Sequence, residues 1–329
     1  MTALLLPSLA ILVGFALLIW SADKFVLGAS NTARSFNISP IVVGVVIVGL
    51  GTSAPEMLVS AMAASDGNTG LSIGNAIGSN ITNVGLMLGI TALFYPLQIH
   101  SKLLKREMPV LLAVIFFSYY ILHDERLDFI DGAMLLGMMF AMIAYTVWEA
   151  KSHKNDQMAQ DILNDLPDEI SKSAALKWLI IGIVVLIVSS RILVWGAVEI
   201  AHYYQVSDLI IGLTIVAIGT SLPELAATIA AARKKEYDLA VGNIIGSNIF
   251  NILGVMALPG LIHPDGFDAE VLTRDYPVMI GLTIALLIFS IAWRKGKTAV
   301  LARVEGGILL CVYIGYMVWL FKDSVASMA

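Results

Sequence analysis

The chain has 329 residues, of which 58% are hydrophobic and 14% charged, with a net charge of −5 and a mean hydropathy of +0.84. Soluble domains carry about 25% charged residues, so this composition excludes a soluble fold, and the small, dispersed charge argues against nucleic-acid binding. Cys311 is the single cysteine, which leaves no intrachain disulfide and no cysteine-based metal site.

The reading is therefore an all-α polytopic membrane protein. A spanning helix needs ~20 mostly apolar residues, and ten such runs occur: 3–31, 38–64, 70–95, 106–122, 128–149, 176–203, 207–231, 238–261, 276–293 and 300–321. The first begins without the basic segment of a signal peptide and is expected to remain as a span; it carries Asp23 and Lys24. The second contains Gly49-Leu-Gly-Thr-Ser-Ala-Pro-Glu56, and the third Gly74-Asn-Ala-Ile-Gly-Ser-Asn-Ile-Thr-Asn83. The fourth and fifth are followed by a polar linker, 150–175, holding Asp156, Asp161, Asp165, Asp168 and Glu169. Its acids lack EF-hand spacing, so a solvated connection is expected. The sixth span carries Arg191 and Glu199. The seventh contains Ala217-Ile-Gly-Thr-Ser-Leu-Pro-Glu224, and the eighth Gly242-Asn-Ile-Ile-Gly-Ser-Asn-Ile-Phe-Asn251.

Lysine and arginine set the expected sidedness. Connections after odd-numbered spans hold Arg34, Lys102, Lys105, Arg106, Lys151, Lys154, Lys172, Lys177, Arg233, Lys234, Lys235, Arg294, Lys295 and Lys297. The opposite side has only Arg126, Arg274 and Lys322. Fourteen against three places the 150–175 linker in the cytoplasm and both termini outside. The expected location is the plasma membrane, which is the inner membrane of a Gram-negative cell.

The sixth to tenth spans repeat the first five. A shift of 168 residues superposes the two halves without a gap, with five of eight residues identical in the first motif and eight of ten in the second. Corresponding points are five spans apart, an odd number, so the second half must run in the opposite direction. Residues 1–149 and 176–329 are thus expected to be two inverted five-helix repeats. In that plan the substrate site lies at mid-membrane where the halves meet.

The motifs supply the chemistry. Pro55 and Pro223 lack an N–H and conflict with the carbonyls of Gly51 and Gly219, so spans two and seven should be broken at mid-membrane. Carbonyls freed there need protein, water or an ion as partner. Glu56 and Glu224 follow directly, and a carboxylate at bilayer depth demands a countercharge. Thr52, Ser53, Thr220 and Ser221 add hydroxyls within a turn. Ser79 with Asn83, and Ser247 with Asn251, stand i, i+4 on one helix face, with Asn75 and Asn243 one turn earlier. Gly74, Gly78, Gly242 and Gly246 permit close helix approach. A set built from oxygen, without histidine or cysteine, suits hard cations such as Ca²⁺. Two carboxylates balance one Ca²⁺, several monovalent ions or protons, and such alternative occupancies are what an antiporter requires.

Present twice each, GTSxPE and GNxxGSN resemble the α-repeats of the cation/calcium antiporter superfamily, in its bacterial and archaeal sodium/calcium exchanger branch. The resemblance covers nearly the whole chain and implies exchange of Ca²⁺ for Na⁺ by alternating access. It further implies that Glu56, Glu224, Thr52, Ser53, Thr220, Ser221, Ser79, Ser247, Asn83 and Asn251 are ion ligands, joined by backbone oxygens near Gly49 and Ala217. Some members have Asp where this chain has Asn251, which leaves stoichiometry and monovalent-ion preference open. Calcium/proton exchangers usually carry a further glutamate in the second motif, absent here, which favours sodium coupling; proton or potassium coupling stays as the alternative. Beyond the transported ions and the bilayer, neither a cofactor nor an obligate protein partner is expected. An enzyme would need a nucleophile with a base, or a metal site; no HExxH is present, and Gly70-Leu-Ser-Ile-Gly74 matches GxSxG only inside the third apolar run, not at a strand-to-helix turn. A passive cation channel uses similar oxygens and remains the competing class.

Overall fold

The computed structural model describes residues 2–35, 49–99, 101–152, 170–204, 217–233, 235, 237–291 and 299–327. The opening stretches of the expected second and seventh spans, 38–48 and 207–216, and the linker residues 153–169 with all five of its acids, lie outside the described residues. The chain is mostly helical. In order come α1 (Thr2–Ser35), α2 (Gly49–Thr52), α3 (Ala54–Ser65), α4 (Thr69–Thr82), a π-helical turn at Asn83–Leu88, α5 (Gly89–Phe94) and β1 (Leu97–Ile99). Then follow α6 (Ser101–Ile121), β2 (Arg126–Leu127), α7 (Phe129–Ser152) and α8 (Lys172–Tyr203). The chain continues through α9 (Ala217–Thr220), α10 (Leu222–Arg233), α11 (Tyr237–Phe250), a π turn at Asn251–Val255, α12 (Ala257–Ile262) and β3 (Asp265–Gly266). It closes with a π turn at Val271–Asp275, α13 (Tyr276–Phe289), β4 (Ala299–Leu301) and α14 (Arg303–Ser327).

Among the described residues, six helical stretches are long and apolar enough to cross a membrane: Thr69–Phe94, Phe129–Thr146, Lys172–Ile200, Ala240–Ile262, Val271–Phe289 and Arg303–Asp323. Their burial separates centre from periphery. Thr69–Phe94 and Ala240–Ile262 are 78% and 89% buried, whereas Phe129–Thr146 and Arg303–Asp323 are only 22% and 28% buried. The two central rods are those rich in Gly, Ser and Asn, whose small side chains let neighbours close in on every side. Their isoleucines (Ile73, Ile77, Ile81, Ile244, Ile245, Ile249) are fully buried in the apolar core. The peripheral helices expose Phe140, Trp148, Ile314 and Phe321, an apolar outer surface that suits lipid rather than water.

Helices α1 and α8 pack directly along each other. A Cβ on Gly28 would lie 2.2 Å from the backbone nitrogen of Leu179, and one on Gly196 would lie 2.5 Å from the carbonyl oxygen of Pro7. These glycines are 168 residues apart, so the packing contact recurs with the sequence repeat. The strands tie connections together: β1 pairs antiparallel with β4, Gln98 opposite Val300, and β2 with β3, Leu127 opposite Asp265. Just before the start of α8, the Ile170 N–H donates to Asn31 Oδ1 at 3.3 Å.

An ionic cluster around the buried Asp275 joins the π turn before α13 to α14. Arg274 Nε donates to Asp275 Oδ1 at 2.8 Å and Nη2 to Oδ2 at 3.2 Å, while Nη1 bonds Asp323. The Tyr316 hydroxyl also donates to Asp275 Oδ1 at 2.8 Å. Breaking a buried pair by removing one partner strands the other charge. Asp275→Ala is therefore expected to destabilise the protein by about 3 kcal/mol, read as a clear drop in the thermal unfolding midpoint in detergent. An unchanged midpoint would show that the cluster is hydrated and unimportant to the packing of these helices.

Candidate ion-binding site

The site begins at the two prolines. Helix α2 stops at Thr52 and α3 starts at Ala54, with Ser53 between them at φ −81°, ψ 0°. The interruption is one residue wide: Ser53 N–H still donates to Gly49 O at 3.0 Å, and Met57 N–H to Ser53 O at 3.1 Å. The second copy matches, with Ser221 between α9 and α10, its N–H on Ala217 O and its carbonyl accepting from Leu225, both at 3.1 Å. The proline removes one donor from each helix without opening a wide loop. Consequently Gly49 O accepts from Ser53 and also from Thr52 Oγ1 at 3.2 Å, and Ala217 O from Ser221, with Thr220 Oγ1 at 3.4 Å sharing its single hydrogen between Ala217 O and the nearer Asn75 Oδ1. These two carbonyls carry helical hydrogen bonds here, and the threonine hydroxyls must turn away before they can take an ion.

Glu56 and Glu224 occupy the first turns of α3 and α10, and both are fully buried. Each is held by the serine of the opposite half. Ser221 Oγ donates to Glu56 Oε1 at 3.0 Å, and Ser53 Oγ to Glu224 Oε1 at 3.4 Å. The remaining oxygens, Oε2 of both, are buried without a partner. Arg274 pairs with Asp275 and Asp323, and neither pair reaches a glutamate of the site. Two carboxylates out of water, with no basic side chain paired to them among the described residues, require a cation or protons.

The central rods complete the cage. The π turns start at Asn83 and at Asn251, and Met256 N–H reaches back five residues to Asn251 O at 2.9 Å. Such turns are rare and recur at functional sites. Asn83 Nδ2 donates to Asn248 Oδ1 at 3.0 Å, and Asn251 Nδ2 to Asn80 Oδ1 at 3.3 Å, while Oδ1 of both Asn83 and Asn251 is buried and unpartnered. Ser247 Oγ lies 3.4 Å from Thr52 Oγ1, and Ser79 Oγ is buried without a partner. Asn75 Nδ2 donates to Glu56 O at 3.0 Å and Asn243 Nδ2 to Glu224 O at 3.4 Å, each fixing the backbone under its glutamate. Nearly every bond has a counterpart shifted by 168 residues.

All twelve positions read from the sequence are thus buried on the elements that meet between the halves. Sequence reasoning assigned no role to Asn80 and Asn248, although their identity in both motif copies was the available signal. The other charged span residues stand apart. Lys24 Nζ lies 5.0 Å from the centre of the Trp178 ring. Arg191 is exposed and contacts the Met62 sulfur, and Glu199 is exposed. The side chain of Asp23 lies outside the described residues.

No group of three or more His, Cys, Asp or Glu side chains gathers among the described residues. The oxygens gathered around the two glutamates are hydroxyl and amide oxygens, a set that suits hard cations rather than zinc or copper. Buried, oxygen-lined and acidic, set between two paired helical units, this is the architecture of a membrane cation transporter. The sodium/calcium exchanger protein family matches residues 7–148 and again 174–322, and the chain belongs to that family. It is 47% identical to the putative antiporter CaxA of Alkalimonas amylolytica over 97% of this chain and 100% of that one. Sodium/calcium exchanger MaX1 of Methanosarcina acetivorans is 30% identical over 95% and 98% of the two chains. Among solved structures, the sodium-calcium exchanger NCX_Mj soaked with 2.5 mM Na⁺ and 0.1 mM Ca²⁺ superposes with a TM-score of 0.76 at 35% identity, covering 95% of this chain and 98% of that one.

Proposed function

We propose that the protein is an antiporter, not an enzyme, that exchanges Ca²⁺ for Na⁺ across the plasma membrane by alternating access. The carrying observation is the crossed arrangement of the glutamates, each bonded to a serine of the other half, in a site of oxygens alone. Bound Ca²⁺ would take the unpartnered Oε2 atoms of Glu56 and Glu224 first, with hydroxyls of Thr52, Ser53, Thr220, Ser221, Ser79 and Ser247 and the amide oxygens of Asn83 and Asn251 around them. The carbonyls of Gly49 and Ala217 would join once their threonines rotate. Two carboxylates neutralise one Ca²⁺ or more than one Na⁺, so each cargo can discharge the other, and an empty, doubly charged site is disfavoured. That penalty opposes passage without exchange and separates the reading from a channel.

The architecture in this reading is ten transmembrane helices in two inverted five-helix repeats, residues 1–149 and 176–329, joined by a cytoplasmic linker. The paired connections support it. Strands can pair only on one side of a membrane; β1 and β4 follow the third and ninth spans, and β2 and β3 the fourth and eighth, so each pair shares parity. The recurrence of the family match in each half supports the duplication.

The test is ⁴⁵Ca²⁺ uptake into proteoliposomes loaded with Na⁺, K⁺ or acid. Uptake driven by internal Na⁺ alone is expected. Uptake driven by acid would reassign the coupling ion to protons, a requirement for K⁺ beside Na⁺ would add a co-transported ion, and uptake into vesicles without any counter-ion would make the protein a channel.

A further inference from the structure

The two halves carry the same side chains at the site, yet they do not make the same hydrogen bonds. Thr220 Oγ1 donates to Asn75 Oδ1 across the halves at 3.2 Å. The counterpart, Thr52 to Asn243, is not made: Thr52 Oγ1 instead lies 3.4 Å from Ser247 Oγ, and Asn243 Oδ1 is buried without a partner. The counterpart of Thr52 with Ser247 is Thr220 with Ser79, and Ser79 Oγ is likewise buried without a partner. All six side chains are buried, at 2% exposure or less. Each threonine therefore has two cross-half partners to choose from, and the two threonines have chosen differently.

This asymmetry is informative because buried acceptors rarely go unbonded. Ser79 and Asn243 are spare in one arrangement, and exchanging the roles of the halves would satisfy them while sparing Ser247 and Asn75. The number of bonds is conserved, so the two arrangements are close in energy, which a carrier populating two states needs. In an inverted repeat, exchanging the roles of the halves is also what turns one facing into the other.

We propose that Asn75 and Asn243 are opposed positioning residues, one for each facing of the carrier. Thr220–Asn75 with Thr52–Ser247 holds the present state, and Thr52–Asn243 with Thr220–Ser79 holds its opposite. Each asparagine also holds the backbone carbonyl of the glutamate in its own half, so the latch and the ion-binding carboxylate move together. The inference rests on the exchange reading above, and it assigns the asparagines no direct contact with the ion.

The experiment measures half-saturating Ca²⁺ from each face of the reconstituted exchanger, in proteoliposomes sorted by orientation. The apparent affinity at a face falls with the fraction of carriers open to it, so the ratio of the two values reads the bias between states. Losing one buried hydrogen bond should move that ratio by roughly fivefold. Asn75→Ala and Asn243→Ala should move it in opposite directions, and the double variant should return it towards wild type. Ser79→Ala removes a partner used only in the opposite state and should move the ratio the same way as Asn243→Ala, whatever it does to affinity at both faces together. That pair keeps the proposal testable should Asn75→Ala fail to fold. A merely structural role would weaken both faces alike, so an unmoved ratio in the single variants, Asn75→Ala and Asn243→Ala moving it the same way, or Ser79→Ala and Asn243→Ala moving it in opposite ways would overturn the assignment. Calcium flux by the wild type without a counter-ion would instead overturn the exchange reading, independently of the ratios.

Discussion

Glu56→Gln and Glu224→Gln are each expected to reduce Ca²⁺ exchange to below ~1% of wild type while the purified protein stays folded. A carboxylate ~4 Å from a divalent ion contributes about 8 kcal/mol at an effective dielectric of 20, and each 1.4 kcal/mol is a factor of ten in affinity. The loss therefore exceeds anything the neutral oxygens can offset. Folding should survive because glutamine keeps the carbonyl oxygen that accepts from Ser221 or Ser53 and removes a buried charge that is costly when unpaired. The measurement is Na⁺-driven ⁴⁵Ca²⁺ uptake alongside size-exclusion and thermal unfolding profiles. Near-normal exchange by either folded variant would remove that glutamate from the site.

The second large effect is all-or-none. A reporter joined after Ala329 should be active only when it is one that works outside the cytoplasm, and a reporter placed within 153–169 should behave in the opposite way. This expectation rests on fourteen lysines and arginines against three. The pairing of β1 with β4 and of β2 with β3 constrains the parity of the crossings between them, and the bond from Ile170 to Asn31 places the end of the first helix beside the start of α8. A cytoplasmically active reporter at Ala329 would reverse the sidedness, and with it the face to which each state opens.

Several features were legible in the residues because their causes are local. Proline cannot donate a hydrogen bond, so an interruption in the second and seventh runs followed from Pro55 and Pro223, and the helices do stop at Thr52 and Thr220. Its narrowness was not legible. Whether a broken turn opens or heals over one residue depends on the packing around Ser53 and Ser221, and here both neighbouring helical bonds persist. The carbonyls of Gly49 and Ala217, which the family resemblance implies as ligands, are for the same reason occupied by backbone and threonine donors.

The sequence by itself determined the solvent this chain requires, the duplication behind its two halves and the oxygen chemistry of its motifs. Composition, period and residue type are properties of short stretches, and each acts on its immediate surroundings. Only the tertiary structure decided which oxygens meet. Ser221 lies 165 residues from Glu56, and Thr52 lies 195 from Ser247; no local rule ranks such partners over the near-identical alternatives that a duplicated motif supplies. The pairing of Asn83 with Asn248 and of Asn251 with Asn80 depends on how the two rods cross, and the π turns that begin at Asn83 and Asn251 alter the helical register only once those rods are packed. Two halves of nearly equal chemistry leave the choice between equivalent hydrogen bonds to the packing between them, and that choice distinguishes Asn75, which is bonded across the halves, from Asn243, whose Oδ1 is not.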